Sequence, residues 1–337
     1  MSFAQMHDDN VFATPEAEAD DISRLGAGLG VAGHSPRLIL KARYAIESEV
    51  FRLHPELNRA AARQDAALDL EWTASRRSSV ALSAGFLETQ TPSELNLLSE
   101  LEVGRRRGRR LSTGALLTHR LSPLSTATLE HRFSRDRVAG GPGNDAHAAV
   151  LGVERRLGPA DRVSVEYRAH RFAFDADTTL AHIVSLGWRR TVTPSAQFAL
   201  EAGPCLSSGR LGAEVSAELR HQLAHGEAAI AYVQSQTTVL GLSGPVTVNG
   251  VRAALSHRLV GPLRFGASPA AFRVLGPRSE ATLYRLGVEV AWPVARDVTL
   301  SGAHQFSLQE GRLAQGAASE IAHNTFVLAL TRRSSRE

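Results

Sequence analysis

The stretch Leu38–Glu47, LILKARYAIE, decides the fold. Leu38, Leu40, Ala42 and Tyr44 alternate there with Lys41, Arg43, Ala45 and Glu47. Successive side chains of a strand point to opposite faces, so a two-residue beat of this length reads as a strand and not as a helix. The beat recurs. Ala66, Leu68, Leu70 and Trp72 stand opposite Asp65, Asp69, Glu71 and Thr73, and Val163, Val165, Tyr167 and Ala169 stand opposite Ser164, Glu166, Arg168 and His170. Tyr284, Leu286, Val288, Val290 and Trp292 face away from Arg285, Gly287, Glu289 and Ala291. The chain is read as all-β, each strand having one apolar and one charged face.

Composition narrows the class. Hydrophobic residues make up 43% of the chain, yet no run approaches the ~18 apolar residues a spanning helix needs, which excludes a helical membrane protein. A length of 337 residues fits one large barrel or sandwich. The 38 basic and 34 acidic residues leave a formal charge of +4, and every basic residue except Lys41 is arginine. Both signs interleave on the same strand faces instead of gathering on one element, which argues against a nucleic-acid partner. The lone Cys205 closes no intramolecular disulfide, as fits a reducing compartment or an envelope protein without staples. The opening MSFAQMHDDN has neither the basic start nor the apolar core of a signal peptide and taken alone reads as cytoplasmic. Phe3–Asp8, however, reads as the second half of a strand, so a mature or truncated chain, or a misplaced start, is expected.

Turn signals divide the chain into about eighteen strand-like segments, near 2–10, 22–33, 37–51, 61–74, 79–89, 109–121, 125–136, 146–157, 162–175, 178–191, 196–206, 210–223, 227–238, 246–259, 263–273, 282–293, 298–308 and 322–333. Every second connection is tight and built of turn residues, among them Gly33-His34-Ser35-Pro36, Ser75-Arg76-Arg77-Ser78, Gly158-Pro159-Ala160-Asp161 and Val260-Gly261-Pro262. The intervening connections are mostly longer, notably 11–21, 52–60, 90–108, 137–145, 274–281 and 309–321. Leu95–Leu101 is apolar enough for a strand or a short helix; assigning 90–108 to one long extracellular loop keeps the strand count even and both termini periplasmic. The predicted architecture is a single domain, 1–337. It is a transmembrane antiparallel up-and-down β-barrel of about eighteen strands in the bacterial outer membrane, with short periplasmic turns, longer extracellular loops and a truncated first strand.

A soluble β-sandwich alternates too. Against it stand strands longer than the usual ~5–6 residues, apolar faces rich in Ala and Leu, and opposite charges on the polar faces. The same-strand charge sets are Arg43 with Glu47, Asp65 with Asp69, Glu130 with Arg132, Glu166 with Arg168, Glu218 with Arg220, and Arg285 with Glu289. Trp72, Trp188 and Trp292 all fall near strand ends that adjoin short turns, as an interfacial belt requires.

A barrel of this size encloses an aqueous lumen. Arg43, Glu47, Asp65, Asp69, Glu130, Arg132, Glu154, Arg168, Glu214, Glu218, Arg220, Arg252, Arg285 and Glu289 are the expected lumen-lining residues, able to hydrogen-bond hydroxyl-rich cargo weakly enough for it to slide. The bland reading of each is a solvated wall residue. No GxSxG elbow, HExxH or paired metal spacing occurs, so no catalytic residue, metal or cofactor is assigned. His119, His131 and His182 fall on apolar faces and read as interfacial histidines. Within the run RRRGRR, Arg105, Arg106, Arg107, Arg109 and Arg110 are candidate contacts for lipopolysaccharide phosphates or another acidic polymer, with a solvated loop as the plain alternative.

Several phrases together carry a resemblance: Asp9-Asn10-Val11-Phe12 with Thr14-Pro15, His54-Pro55-Glu56-Leu57-Asn58, Thr91-Pro92-Ser93-Glu94-Leu95-Asn96 followed by Gly104-Arg105-Arg106-Arg107, Gln236 through Pro245, and Tyr284-Arg285-Leu286-Gly287. The chain resembles the bacterial outer-membrane β-barrel family associated with exopolysaccharide and exosortase loci. The resemblance spans essentially the whole chain and implies export of a polysaccharide through the lumen beside a periplasmic polysaccharide-export lipoprotein. It carries over no functional residue. A general or solute-selective porin, a surface barrel with a plugged lumen, and a barrel hydrolase remain the alternatives. The chain departs from the usual pattern of such barrels in ending Ser334-Ser335-Arg336-Glu337, not on an aromatic residue.

Overall fold

The computed structural model describes every residue except 97, 176, 278, 313–318 and 334–337. Eighteen strands follow one another: β1 Ser2–Asp8, β2 Asp20–His34, β3 Leu38–Phe51, β4 Arg59–Thr73, β5 Ser78–Thr89, β6 Gly108–Arg120, β7 Ser125–Val138, β8 Asn144–Arg156 and β9 Asp161–Phe174. They continue as β10 Thr178–Thr193, β11 Ala196–Ser207, β12 Arg210–Leu223, β13 Gly226–Thr237, β14 Val246–Arg258, β15 Arg264–Leu275, β16 Glu280–Ala295, β17 Val298–Arg312 and β18 Ser319–Arg332. Each pairs antiparallel with its sequence neighbours, and β1 pairs with both β2 and β18, so the sheet closes on itself. Closure removes the free edges that a membrane-spanning sheet cannot leave unpaired.

Directly opposed residues share a face, so the register carries each face around the wall. Lys41, Asp69, Ser83, Gly114, Arg132, Ala148, His170 and Ala181 form one inward row. The adjacent outward row reads Leu40, Leu70, Leu82, Ala115, His131, Ala149, Ala169 and His182. Leu29, Leu151 and Leu186 are 81%, 55% and 66% exposed, and dozens of large apolar side chains share that outer surface. A surface so uniformly apolar meets lipid, not water. A sandwich would have buried these same faces between its sheets. Trp72, Trp188 and Trp292 all point outward near short turns, as the belt requires.

The connections 35–37, 74–77, 121–124, 157–160, 194–195, 224–225, 259–263 and 296–297 lie at one rim, the periplasmic one. The opposite rim carries 9–19, 52–58, 90–107, 139–143, 238–245 and 276–279, together with two tight links, 175–177 and 208–209. At the latter, Ser208 and Gly209 both take positive φ, 48° and 75°, the left-handed pair that matches the twist of a two-residue hairpin. The long connection expected over 309–321 is shorter, because β17 runs to Arg312 and β18 begins at Ser319; what lies between falls outside the described residues.

β1 is seven residues long while every other strand has 12 to 16. Ser2 lies opposite Gly26, so Ala27–His34 of β2 pair with β3 alone. Past the other end of β1 the seam is prolonged by side chains: Asp9 accepts bonds from the backbone and amide nitrogens of Asn324 at 2.6 and 2.8 Å.

Candidate functional site

Most of the buried apolar residues belong to the extracellular mouth, where three connections turn into the barrel. The expectation of an external loop over 90–108 is therefore corrected: 90–107 crosses the lumen. Pro92–Leu95 forms a single 3-10 turn, neither strand nor α-helix. Asn96 is its hub, donating from Nδ2 to the Leu101 carbonyl at 3.0 Å and accepting from the Leu240 backbone N–H at 2.8 Å. Leu101 is fully buried among Val239, Leu242, Val246, Val248, Phe272, Val274, Ala281 and Leu283. Leu95 packs with Leu240 and Val138. The Phe272 ring lies over Gly250, where a Cβ would come within 2.2 Å of it, so only glycine lets this cluster close.

Ion pairs fasten the loop to the wall on several sides. Glu94 meets Arg63 of β4 at 2.9 Å, and Glu100 meets Arg285 of β16 at 2.6 Å. Arg105 pairs with Glu49 of β3, which also holds Arg24 of β2 at 2.7 Å, and its guanidinium stacks over the Phe51 ring. Glu102 exchanges two backbone bonds with the Gln309 amide, at 2.8 and 3.1 Å, and its carboxylate lies 3.7 Å from His323, whose other ring nitrogen reaches Asp8 at 2.8 Å. Buried pairs of this kind fix geometry more than they add stability, and each is costly to break singly.

The 9–19 connection joins the same assembly. Val11 packs with Met6, Ile22 and Phe51, and the Phe12 carbonyl accepts the Arg105 backbone N–H at 3.0 Å. At its far end Asp20 accepts backbone N–H bonds from Arg52, Leu53 and His54 at 2.9 to 3.0 Å. His54 bonds Asp20 through Nδ1 at 2.9 Å and Glu18 through Nε2 at 3.1 Å; the Asp20 bond, then the Glu18 bond, raise its pKa above the ordinary imidazole value.

Below the mouth the lumen opens. All fourteen residues expected to line it lie on the inward face by register, but their partners are seldom the same-strand ones. Glu130 does pair with Arg132, and Glu218 with Arg220 at 2.8 Å. Arg43 instead takes Asp65 across the strand pair at 3.2 Å, and Glu47 takes Arg63 at 3.6 Å. Arg168 takes Glu201 and, at 3.4 Å, Glu214. Arg252 is exposed and has no ion pair among the described residues. It borders two cavities, one of about 500 Å³ with Glu154, Glu201 and Glu218, and one of about 490 Å³ with Glu100, Arg220 and Arg285. A third, of about 810 Å³, spans Asp69, Arg132, Arg168, His170 and Glu214 beneath the inner loops.

Toward the periplasm the inward face turns basic. Arg156 lies directly opposite Arg162, and Arg162 opposite Arg189. Glu154 alone serves two of them, at 3.2 Å from Arg162 and 3.5 Å from Arg189. Like charges directly opposed weaken a sheet, and composition gave no sign of this arginine row.

The run RRRGRR does not act as one patch. Arg105 is buried inside, and Arg110 points inward with its Nε and Nη2 both donating to the Asp136 carboxylate at 2.7 Å, so neither can reach a lipid headgroup. Arg107 and Arg109 remain half exposed beside Glu88, at 2.7 and 2.6 Å, and Arg106 is exposed in the loop. His119, His131 and His182 do lie on the outward face. His119 Nδ1 contacts Ser78 Oγ at 2.9 Å, with no carboxylate bonded to its other nitrogen among the described residues, and His182 bonds Tyr167 at 2.7 Å. Cys205 is buried on the inward face.

No protein-family model matches the chain, and no curated relative does. Solved structures do. OpdO of Pseudomonas aeruginosa superposes with a TM-score of 0.53 at 12% identity, covering 97% of this chain and 94% of its own. OpdL of the same organism gives 0.50 at 11%, covering 97% and 96%. A mutant of its ferric enterobactin receptor PfeA gives 0.50 at 10%, covering 98% and 80%. At such identities the likeness is one of fold. The chain is a closed eighteen-stranded antiparallel β-barrel of the outer membrane.

Proposed function

We propose that the barrel is a solute-selective channel of the outer membrane whose extracellular mouth is narrowed by its own loops. The observation that carries this reading is the division of the lumen. A dry, latched loop assembly occupies one end, while cavities of about 500 to 810 Å³ lined by arginine and carboxylate groups occupy the rest. Such a wall passes small hydrophilic solutes and gives charged ones distinct stations. No covalent step is assigned to it.

Polysaccharide export is the second reading. One observation favours it: the phrases that carry the resemblance to exopolysaccharide-associated barrels converge on the mouth. Phe12 meets Arg105, Asn96 meets Leu240, and Arg285 meets Glu100. In that reading the loops part to release a polymer delivered from a periplasmic export lipoprotein.

Planar-bilayer recording tests the channel. The wild-type barrel should give small steps, and replacing residues 91–106 by a short Gly/Ser link should raise the step conductance several-fold. A barrel silent in both forms overturns the channel. Unchanged surface polysaccharide in a strain lacking the protein overturns the export reading alone.

A further inference from the structure

Outside the lumen, the extracellular rim of β5 to β9 carries charge that the ion pairs leave in excess. Arg107, Arg109, Arg135, Arg137 and Arg171 all lie on or beside the outward face, with Glu88 and Asp145 as the carboxylates these strands place on that face, while Asp175 and Asp177 stand in the turn that follows β9. Arg109 lies directly opposite Arg137 in the register, and Arg171 directly opposite His147. Glu88 is shared by Arg107 and Arg109, and Asp145 by Arg135 at 2.8 Å and Arg137 at 3.0 Å. Arg171 has no ion pair among the described residues and is exposed. Five guanidinium groups thus meet two carboxylates borne by the strands themselves, and each of the four paired ones is about half exposed.

Position makes this excess informative. Two residues further into the membrane from Arg109 and Arg135 the same outward face carries Leu111 and Phe133, and four further from His147 and Arg171 it carries Leu151 and Tyr167. The guanidinium groups therefore sit where acyl chains give way to headgroups. The outward rim of β15 to β18 differs: Arg273 and Arg312 stand there with Glu280, Glu310 and Glu320, and Arg273 pairs with Glu280 at 2.6 Å. Among the described residues, the excess distinguishes the β5–β9 sector from the β15–β18 sector.

We propose that the outward extracellular rim of β5–β9 binds the phosphorylated headgroup of an outer-leaflet glycolipid, with Arg109, Arg135, Arg137 and Arg171 as phosphate ligands and Leu111 and Phe133 against its acyl chains. Guanidinium forks match phosphate oxygens two at a time, and basic clusters at the membrane surface draw anionic lipid. Bound phosphate offsets the repulsion between Arg109 and Arg137. The lipid sits outside the wall, so this site is independent of what passes through the lumen.

The test uses the folded barrel in neutral detergent, with its unfolding followed by heat-modifiable gel migration. Bis-phosphorylated deep-rough lipopolysaccharide should raise the unfolding temperature. In the R109Q/R135Q/R137Q/R171Q variant the half-saturating lipid concentration should rise about tenfold or more. An R273Q/R312Q control on the opposite rim should respond as wild type does. An equal response to the dephosphorylated lipid, or a wild-type response from the quadruple variant, overturns the proposal. Inorganic phosphate producing the same shift overturns the lipid in favour of free anion. Should the quadruple variant fail to fold, R135Q/R171Q replaces it under the same criterion, and bound phosphorus assayed on barrel purified from outer membranes must be present.

Discussion

The two halves of the lumen are built on opposite principles. Toward the cell exterior, chain fills the barrel: Leu101 and Leu240 are buried like residues of a soluble core, and Glu94 and Glu100 of 90–107 each meet an arginine of the wall. Toward the periplasm no connection enters, and Arg156, Arg162 and Arg189 line up with a single carboxylate among them. The same inward-facing register supports both. A barrel wall of this kind does not choose between plug and pore; the length and apolar content of the connections at each rim choose for it.

Removing the dry half's anchor should do most to break that contrast. Leu101→Ala deletes a fully buried side chain and should cost about 2–5 kcal/mol of loop docking, while β-strand exchange protection stays. Hydrogen exchange would then show 90–107 opening apart from the wall; equal protection in variant and wild type contradicts a docked loop. The wet half yields a smaller effect. R156Q/R162Q/R189Q should move the reversal potential in a salt gradient toward the cation side with little change in step conductance, because the inward row of like charges raises local anion concentration. A reversal potential unmoved by all three substitutions assigns selectivity to the mouth instead.

The smallest effect concerns His54 at the edge of the plugged half. Its pKa is raised by Asp20 and then Glu18, so the stability it contributes is fully present below the ordinary imidazole pKa of ~6.5 and is lost as pH rises through the higher folded value. Exchange protection of 9–19 should fall across that window in the wild type and not in His54→Gln. Parallel pH profiles would remove His54 from the latch.

The strands and their faces were legible because a two-residue period survives in every segment. Reading inward from Arg43 or Glu218 needs only parity. Ion partners were not legible in the same way. Same-strand neighbours two apart are ~6.6 Å distant, whereas the adjacent strand lies ~4.8 Å away, so Arg43 of β3 finds Asp65 of β4; Arg168 of β9 reaches further, past β10 to Glu201 of β11 and Glu214 of β12, because all three side chains converge on the concave inner face. The arginine run misled for a related reason: β6 begins at Gly108, so Arg109 and Arg110 are consecutive strand residues and must part to opposite faces. Whether an apolar connection such as Leu95–Leu101 turns in or out depends on what waits inside, here Phe272, Leu283 and Gln309 from strands nearly two hundred residues away.

The closing seam between β1 and β18 has a mechanical consequence at its extracellular end. The clasp of Asp9 on Asn324 and of Asp8 on His323 works like a hook above a zip fastener, carrying load where the two sides would otherwise begin to part. Under heat or pulling force, that end of the seam should hold for as long as the hook does.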